Sequence, residues 1–354
     1  GYDWNRTLPA FSSLIEAGGT PAAAPAGPAP GQGAAPASVP GPAAAAGSAT
    51  HAPARISIII PTSCLAVRRQ QIERAIASAH EQDGVDVQII VVVNGSDFDA
   101  AQYEALRRDP RVHVEYVAEA NVSLARFHGL QAADGDFFAF LDDDDEFLPM
   151  ALRHRAARLR ERPELDVLVT NGYRRRERDT VVVDADLERK IAQNLPASFL
   201  HANWFASVAG TFRRSTVEAS LFDIRLKYFE WTSLFFSLLA AGKKIGYAGE
   251  LTYRCTEASP SSVSHTDAYR AAYPPFLLDL LGRPLDPELR EGIVRKYQTA
   301  LNGVSQMHLE NGEVGAAAKA HWQSLVAGGW RFVPYTRKIL LAALRKAFSN
   351  GKAT

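Results

Sequence analysis

The sequence predicts an α/β fold, a mainly parallel sheet flanked by helices, with a helical C-terminal extension and a disordered N-terminal linker. Three observations predict it. Between Arg55 and Leu141, short β-branched apolar runs alternate with segments whose apolar residues recur at helical spacing, the pattern of strands joined by helical crossovers. From about residue 267 onward the periodicity is helical, punctuated by Pro and Gly. Residues 19–54 collapse to Ala, Pro and Gly, which cannot bury enough apolar surface to offset the entropy of ordering.

The elements follow in order. Residues 1–18 form a short N-terminal segment with Tyr2, Trp4, Phe11, Leu14 and Ile15 as a docking-type apolar set, and 19–54 read as a tether. A domain over 55–265 opens with Ile56-Ser57-Ile58-Ile59-Ile60, a buried strand stopped by Pro61. A helix over 68–81 carries Ile72, Ala75, Ile76 and Ala79 on one face. The strand Val87–Val93 closes on Asn94-Gly95-Ser96, a helix is expected over 99–108, and Val112–Val117 alternates as a third strand. A helix over 122–133 leads to the strand Asp136–Leu141, which runs into Asp142-Asp143-Asp144-Asp145. Beyond it come a helix over 150–162, the strand Asp166–Thr170, a variable middle, and an apolar helix over 231–241 ended by Gly242-Lys243-Lys244. Residues 266–354 form the helical extension. In parallel sheets ligands sit outside the carboxyl ends of the strands, so Pro61-Thr62-Ser63, Asn94-Gly95-Ser96 and the acidic run are expected to converge.

Composition narrows the function. Lys+Arg and Asp+Glu balance at 39 each, so no global field points to nucleic acid. Two cysteines, Cys64 and Cys255, make neither a disulfide framework nor a cysteine-built zinc site, and Cys64 reads as structural. No apolar run reaches the roughly 18 residues that span a bilayer, and no basic-then-apolar leader pattern opens the sequence. A cytoplasmic protein is expected, at most peripheral on the cytoplasmic membrane face. The sequence sets no oligomeric state.

The acidic run is the strongest chemical signal. Like charges crowded at the tip of a buried strand call for a cation, and an all-oxygen set suits Mg²⁺ or Mn²⁺, which bind through one or two carboxylates plus substrate phosphates. The alternate carboxylates Asp142 and Asp144 can turn toward one ligand. The bland alternative is a solvated acidic turn. A calcium loop is not expected, because the EF-hand spacing and its central Gly are absent.

Four segments in order carry a family resemblance: Ile56-Ser57-Ile58-Ile59-Ile60-Pro61-Thr62, Ile89–Ser96, Asn121–Arg126 with Gly129, and Ala139-Phe140-Leu141-Asp142-Asp143-Asp144-Asp145-Glu146-Phe147-Leu148-Pro149. Together they resemble the bacterial family 2 glycosyltransferases, inverting enzymes of the Rossmann-like GT-A fold. The resemblance implies a nucleotide-sugar donor, Mn²⁺ or Mg²⁺ as cofactor, and a glycan, glycolipid or other hydroxyl acceptor in surface polysaccharide or glycoconjugate synthesis. It implies that Pro61 and Thr62 line the nucleotide, that Arg126 approaches the nucleotide or diphosphate, and that Asp142 and Asp143 face the donor while Asp144 holds the metal. It places Asn94 among the nucleotide-sugar contacts, where the family often has an Asp contacting the base; Val93 replaces the acid before it, which leaves the donor base open.

An inverting transfer needs a carboxylate to take the acceptor proton. The family draws it from a Glu-Asp pair opening a helix; here the matching segment Tyr228-Phe229-Glu230-Trp231-Thr232 has one acid. Glu230 is therefore the expected base, its plain alternative being a helix N-terminal Glu favoured by the dipole. Trp231 is either an acceptor platform or a core residue. The single acid also keeps open a non-catalytic nucleotide-sugar-binding or scaffold module. His265 is a candidate metal or diphosphate ligand, and Arg254 a phosphate contact. Arg174-Arg175-Arg176 with Arg178 is a solvated turn or an acceptor-side patch. The basic amphipathic stretch 336–348 either lies on an anionic membrane or packs on neighbouring helices. A nucleotidyltransferase would want a Gly-rich basic loop after the first strand, and Thr62-Ser63-Cys64-Leu65-Ala66 is not one.

Overall fold

The computed structural model describes residues 52–175, 178–256 and 266–350, with side chains described to Arg345. The segment 1–18, nearly all of the linker 19–54, Arg176 and His265 lie outside the described residues. Residues 54–354 form one compact unit.

Strand β1 (Ala54–Thr62) is parallel to β2 (Val85–Asn94) on one side and to β4 (Phe137–Phe140) on the other, and β3 (Val112–Val117) is parallel to β2. Helices α1 (Arg69–His80), α2 (Ala100–Arg108) and α3 (Val122–Gln131) make the crossovers. Because helices cover the sheet, β1 is apolar on both faces, and Ile56, Ile58, Ile59 and Ile60 are fully buried. The predicted face of α1, Ile72, Ala75, Ile76 and Ala79, is the buried one. Helix α3 lies so close to the sheet that a Cβ on Gly129 would sit 2.5 Å from Ile59 and 2.8 Å from Val92. Asn121 caps it, its Oδ1 accepting from the amides of Ser123 and Leu124.

The second half is mixed rather than parallel. After the short β5 (Glu146–Phe147) and α4 (Ala151–Glu161), β6 (Val167–Arg175) runs five residues past the expected Thr170. The edge strand β7 (Thr180–Val181) pairs with it, followed by α5 (Ala185–Gln193) and α6 (Leu195–Ser198). Strand β8 (Gly210–Arg213), unforeseen in the variable middle, inserts antiparallel between β4 and β6. Helix α7 (Glu230–Ala240) precedes the long β9 (Ile245–Thr256), which is parallel to β6 and antiparallel to β5. The sheet order is β3-β2-β1-β4-β8-β6-β9-β5. Phe138 stacks on Phe212 of β8 with ring centres 5.0 Å apart, so the inserted strand supplies a large part of the aromatic core.

Four helices complete the unit: α8 (Asp267–Leu281), α9 (Pro287–Glu310), α10 (Val314–Gly328) and α11 (Val333–Asn350). Among the described residues no helix is long and apolar enough to cross a membrane.

Candidate active site

The three strand-end motifs meet at one edge, as parallel order requires. The hydroxyl of Thr62 donates to Asp143 Oδ2 at 2.6 Å, and its backbone carbonyl accepts from Asn94 Nδ2 at 3.0 Å. Thr62 thereby ties the ends of β1 and β2 to the acidic loop. Pro61 is buried in β1 beneath this junction. Cys64, in the same turn, has φ +52° and donates its amide to the Thr62 hydroxyl at 2.9 Å. It is buried and its thiol is pushed up to about 11 by burial, an inert packing residue.

The four aspartates divide into different environments. Asp142 accepts from Arg126 Nη2 at 2.7 Å and from the Ser207 hydroxyl at 2.7 Å. Burial opposes its charge, but Arg126 and Ser207 outweigh that and hold it below the usual carboxylate range. Asp143 is buried, bonded to Thr62 and ion-paired with Arg68. Burial nevertheless pushes it up to about 6, with Asp144 and Asp142 adding repulsion. Asp144 is raised by burial and by Asp142; its nearest cation is Arg68 at 3.7 Å, and its side chain keeps 28% of its surface. Asp145 is buried and raised well above its ordinary value, although it accepts from the Thr256 amide at 2.8 Å. The loop therefore carries more negative charge than the protein compensates.

Arg126 links this loop to Glu230. Its side chain is 7% exposed, its Nη1 lies 3.5 Å from Glu230 Oε1, and its guanidinium sits 5.0 Å from the centre of the Trp231 ring. Nε and Nη1 are buried without a hydrogen-bond partner. Arg126 is thus enclosed between two carboxylates and an indole rather than open at the surface. Glu230 is the first residue of α7, 24% exposed. Phe229 before it holds φ +62°, a conformation strained for an aromatic residue, and its ring is fixed by Tyr269, Tyr273 and Phe276 of α8. Trp231 packs edge-on against Phe140 and Phe205, at 5.6 and 5.8 Å, as a part of the aromatic core.

Other sequence candidates stand apart. Arg254 is held by Glu146 at 2.5 Å and Asp179 at 2.7 Å, and Arg175 of the basic cluster also binds Glu146, at 2.7 Å. These guanidiniums serve the β5–β9 edge. Among the described residues no three His, Cys, Asp or Glu side chains converge as a ready metal cage.

Several residues of the site escaped sequence reading. Arg68, just after the first strand, was detectable as a cation facing the acidic run. Ser207 gave no local signal; it stands in a 3₁₀ turn brought in by β8. Thr256, at the end of β9, donates its hydroxyl to the Asp144 carbonyl at 2.7 Å and so fixes the loop from behind. Arg155 is fully buried and bonded to Thr252 Oγ1 at 2.7 Å and the Val208 carbonyl at 2.8 Å, which ties the Ser207 turn to β9. Burial pushes its guanidinium down to about 9.

Residues 57–215 match the family model described as Glycosyl transferase family 2. Over 103 residues the chain is 36% identical to the GalNAc(5)-diNAcBac-PP-undecaprenol beta-1,3-glucosyltransferase of Campylobacter jejuni, covering 28% of this chain and 32% of that one. Over 135 residues it is 29% identical to the uncharacterized glycosyltransferase EpsJ of Bacillus subtilis, covering 38% of each. The matched segment thus spans only 32% and 38% of these relatives' lengths. Among solved structures, S. aureus TarS 1–349 aligns with TM-score 0.50 at 17% identity, over 75% of this chain and 80% of that one. The same protein in complex with UDP-GlcNAc aligns with TM-score 0.52 at 15% identity, over 76% and 81%. At such identities the likeness is one of fold.

Proposed function

We propose, from the premise that residues 57–215 belong to glycosyl transferase family 2 in a chain of GT-A fold, that this protein moves a sugar from a nucleotide-diphosphate donor to an acceptor hydroxyl with inversion. The observation that carries this reading is the Arg126 bridge. It joins Asp142 of the acidic loop to Glu230, so the donor-side acids and the single candidate base share one centre.

The roles follow from the environments. Thr62 and Asn94 fix the floor against which the nucleotide lies. Asp142, kept ionised by Arg126 and Ser207, accepts a donor hydroxyl. Glu230 takes the proton from the acceptor hydroxyl as that oxygen attacks the anomeric carbon and the nucleoside diphosphate leaves. Arg126 positions both carboxylates.

The residues also suit a divalent ion. The donor set is all oxygen, Asp143, Asp144 and Asp145 are under-compensated, and Asp144 is the carboxylate with most free surface among the last three. Asp144 would hold Mn²⁺ or Mg²⁺ together with substrate phosphates, and when bound the ion neutralises charge developing on the leaving diphosphate. Asp144→Ala is expected to abolish divalent-dependent donor binding and lower turnover about 10²-fold.

The acceptor is read as glycolipid-like and the protein as peripheral on a membrane. Residues 314–354 contain seven Lys and Arg and no Asp or Glu. Trp322 and Trp330 in that stretch are 66% and 88% exposed, an arrangement suited to an anionic interface.

The test is incubation with Mn²⁺ and a panel of nucleotide sugars beginning with UDP-GlcNAc, read as nucleoside-diphosphate release. Donor-dependent release supports the enzyme. Binding of a donor without turnover on any acceptor favours a non-catalytic module.

A further inference from the structure

Beside the Phe229 turn lies a half-open cavity of about 460 Å³ bounded by α7, α8, α9 and residues 199–203, within the range of small-molecule sites. Its walls are Phe229, Phe236, Tyr269, Tyr273, Phe276 and Leu277. Helix α9 closes it with a stripe at helical spacing that includes Ile293, Ala300, Gly303 and Met307. The stripe holds one cation, Lys296, which has no acid partner among the described residues and whose ammonium is pushed below its ordinary range by burial. The other charged pair at the cavity, Arg270 and Glu310, is largely exposed and satisfies itself at 3.3 Å. The aromatic and aliphatic walls gain by covering themselves with hydrocarbon. A half-buried ammonium facing it selects an anion.

We propose that this cavity seats the hydrocarbon chain of a phosphorylated amphiphile, its phosphate on Lys296, as the lipid portion of the acceptor. The role as acceptor rests on the glycosyltransferase reading; the binding does not. Phe229 forms one wall, and the next residue is Glu230. Glu230 itself faces a separate small pocket with Arg126 and Trp231, so a chain lying against the Phe229 ring acts on the base by holding the strained turn that positions it.

The experiment is calorimetric titration of the full chain with dodecyl phosphate below its micelle concentration, dodecanol and inorganic phosphate, beside the nucleotide-sugar turnover assay. Dodecyl phosphate is expected to bind at least about tenfold more tightly than dodecanol, with inorganic phosphate undetected. Gly303 lines the cavity and an added Cβ there meets nothing within 4 Å. Gly303→Phe, and independently Ala300→Leu, are expected to weaken dodecyl phosphate about tenfold with the circular dichroism unchanged, and Lys296→Met to erase the preference for phosphate. The proposal is overturned if the wild type binds no dodecyl phosphate, or if both filling variants fold and bind it as the wild type does. Turnover without dodecyl phosphate binding removes the cavity proposal alone. Binding without turnover on any donor sustains the lipid site and removes the glycosyltransferase reading.

Discussion

On the sheet side of Glu230 stand Arg126, Asp142 and the acidic loop, held by ion pairs and by hydrogen bonds to the carboxylates. On the helix side stand Phe229 and the rings of Tyr269, Tyr273 and Phe276, where position is set by shape. One residue thus belongs to two construction methods. Charged contacts impose a protonation state and respond to pH and cations. Ring packing imposes a backbone conformation and responds to volume. Damage to the first side should read out as chemistry, and damage to the second as misplacement.

The largest effect tests whether both sides serve one group. Glu230→Gln keeps the size and the helix start but removes the proton acceptor. It is expected to lower kcat about 10³-fold with donor affinity nearly unchanged, measured by steady-state kinetics and donor titration. If kcat is unaltered, the acid merely caps α7 and the comparison loses its centre.

Next comes Arg126→Met, which leaves Asp142 and Glu230 without their shared cation. Breaking a buried pair costs about 3–5 kcal/mol, so the melting temperature is expected to fall by roughly 10 °C for a domain of this size, read by calorimetry. A smaller drop would mean that solvent reaches the pair.

A third test acts only on the packed side. Phe229→Gly removes the ring while keeping a residue that adopts φ +62° freely. It is expected to reduce kcat about tenfold through a displaced base and to leave divalent-dependent donor binding intact. Equal loss of both would blur the boundary between the two sides.

The smallest effect belongs to the charged side alone. Asp143 in the fold keeps its proton to about pH 6, whereas in the unfolded chain it loses it near pH 4. Between those values the folded state binds more protons, so stability falls as pH rises. With chelator present, the melting temperature is expected to decline by a few degrees from pH 4 to pH 6 on this account. Asp143→Asn should flatten that decline.

How far the sequence could be read follows the same division. The parallel half was legible because its strands, covered on both faces, become uninterrupted β-branched runs such as Ile56–Ile60 and Val87–Val93. The acidic run announced itself through its place at the end of such a strand. Strand β8 escaped because Gly210-Thr211-Phe212-Arg213 is four residues long and takes its identity from β4 and β6, both remote in sequence. The expected mainly parallel sheet takes its first antiparallel pairs at that insertion. Ser207 escaped with it. Arg126 was singled out, but its burial between two carboxylates depends on where α7 lands, which no local pattern encodes. The left-handed turn at Phe229 is likewise invisible in a sequence, since no Gly or Asn marks it.

That turn bears on where the protein can be cut. By composition a break near residue 265 divides a sheet domain from a bundle of helices. Yet three of the four rings packed on Phe229, and all of the nearest ones, come from beyond that point. A truncated chain ending there would retain the acidic loop and its bonds while the turn, freed from its clamp, relaxes and takes Glu230 with it. Excision should yield a fragment that recognises its nucleotide and transfers nothing.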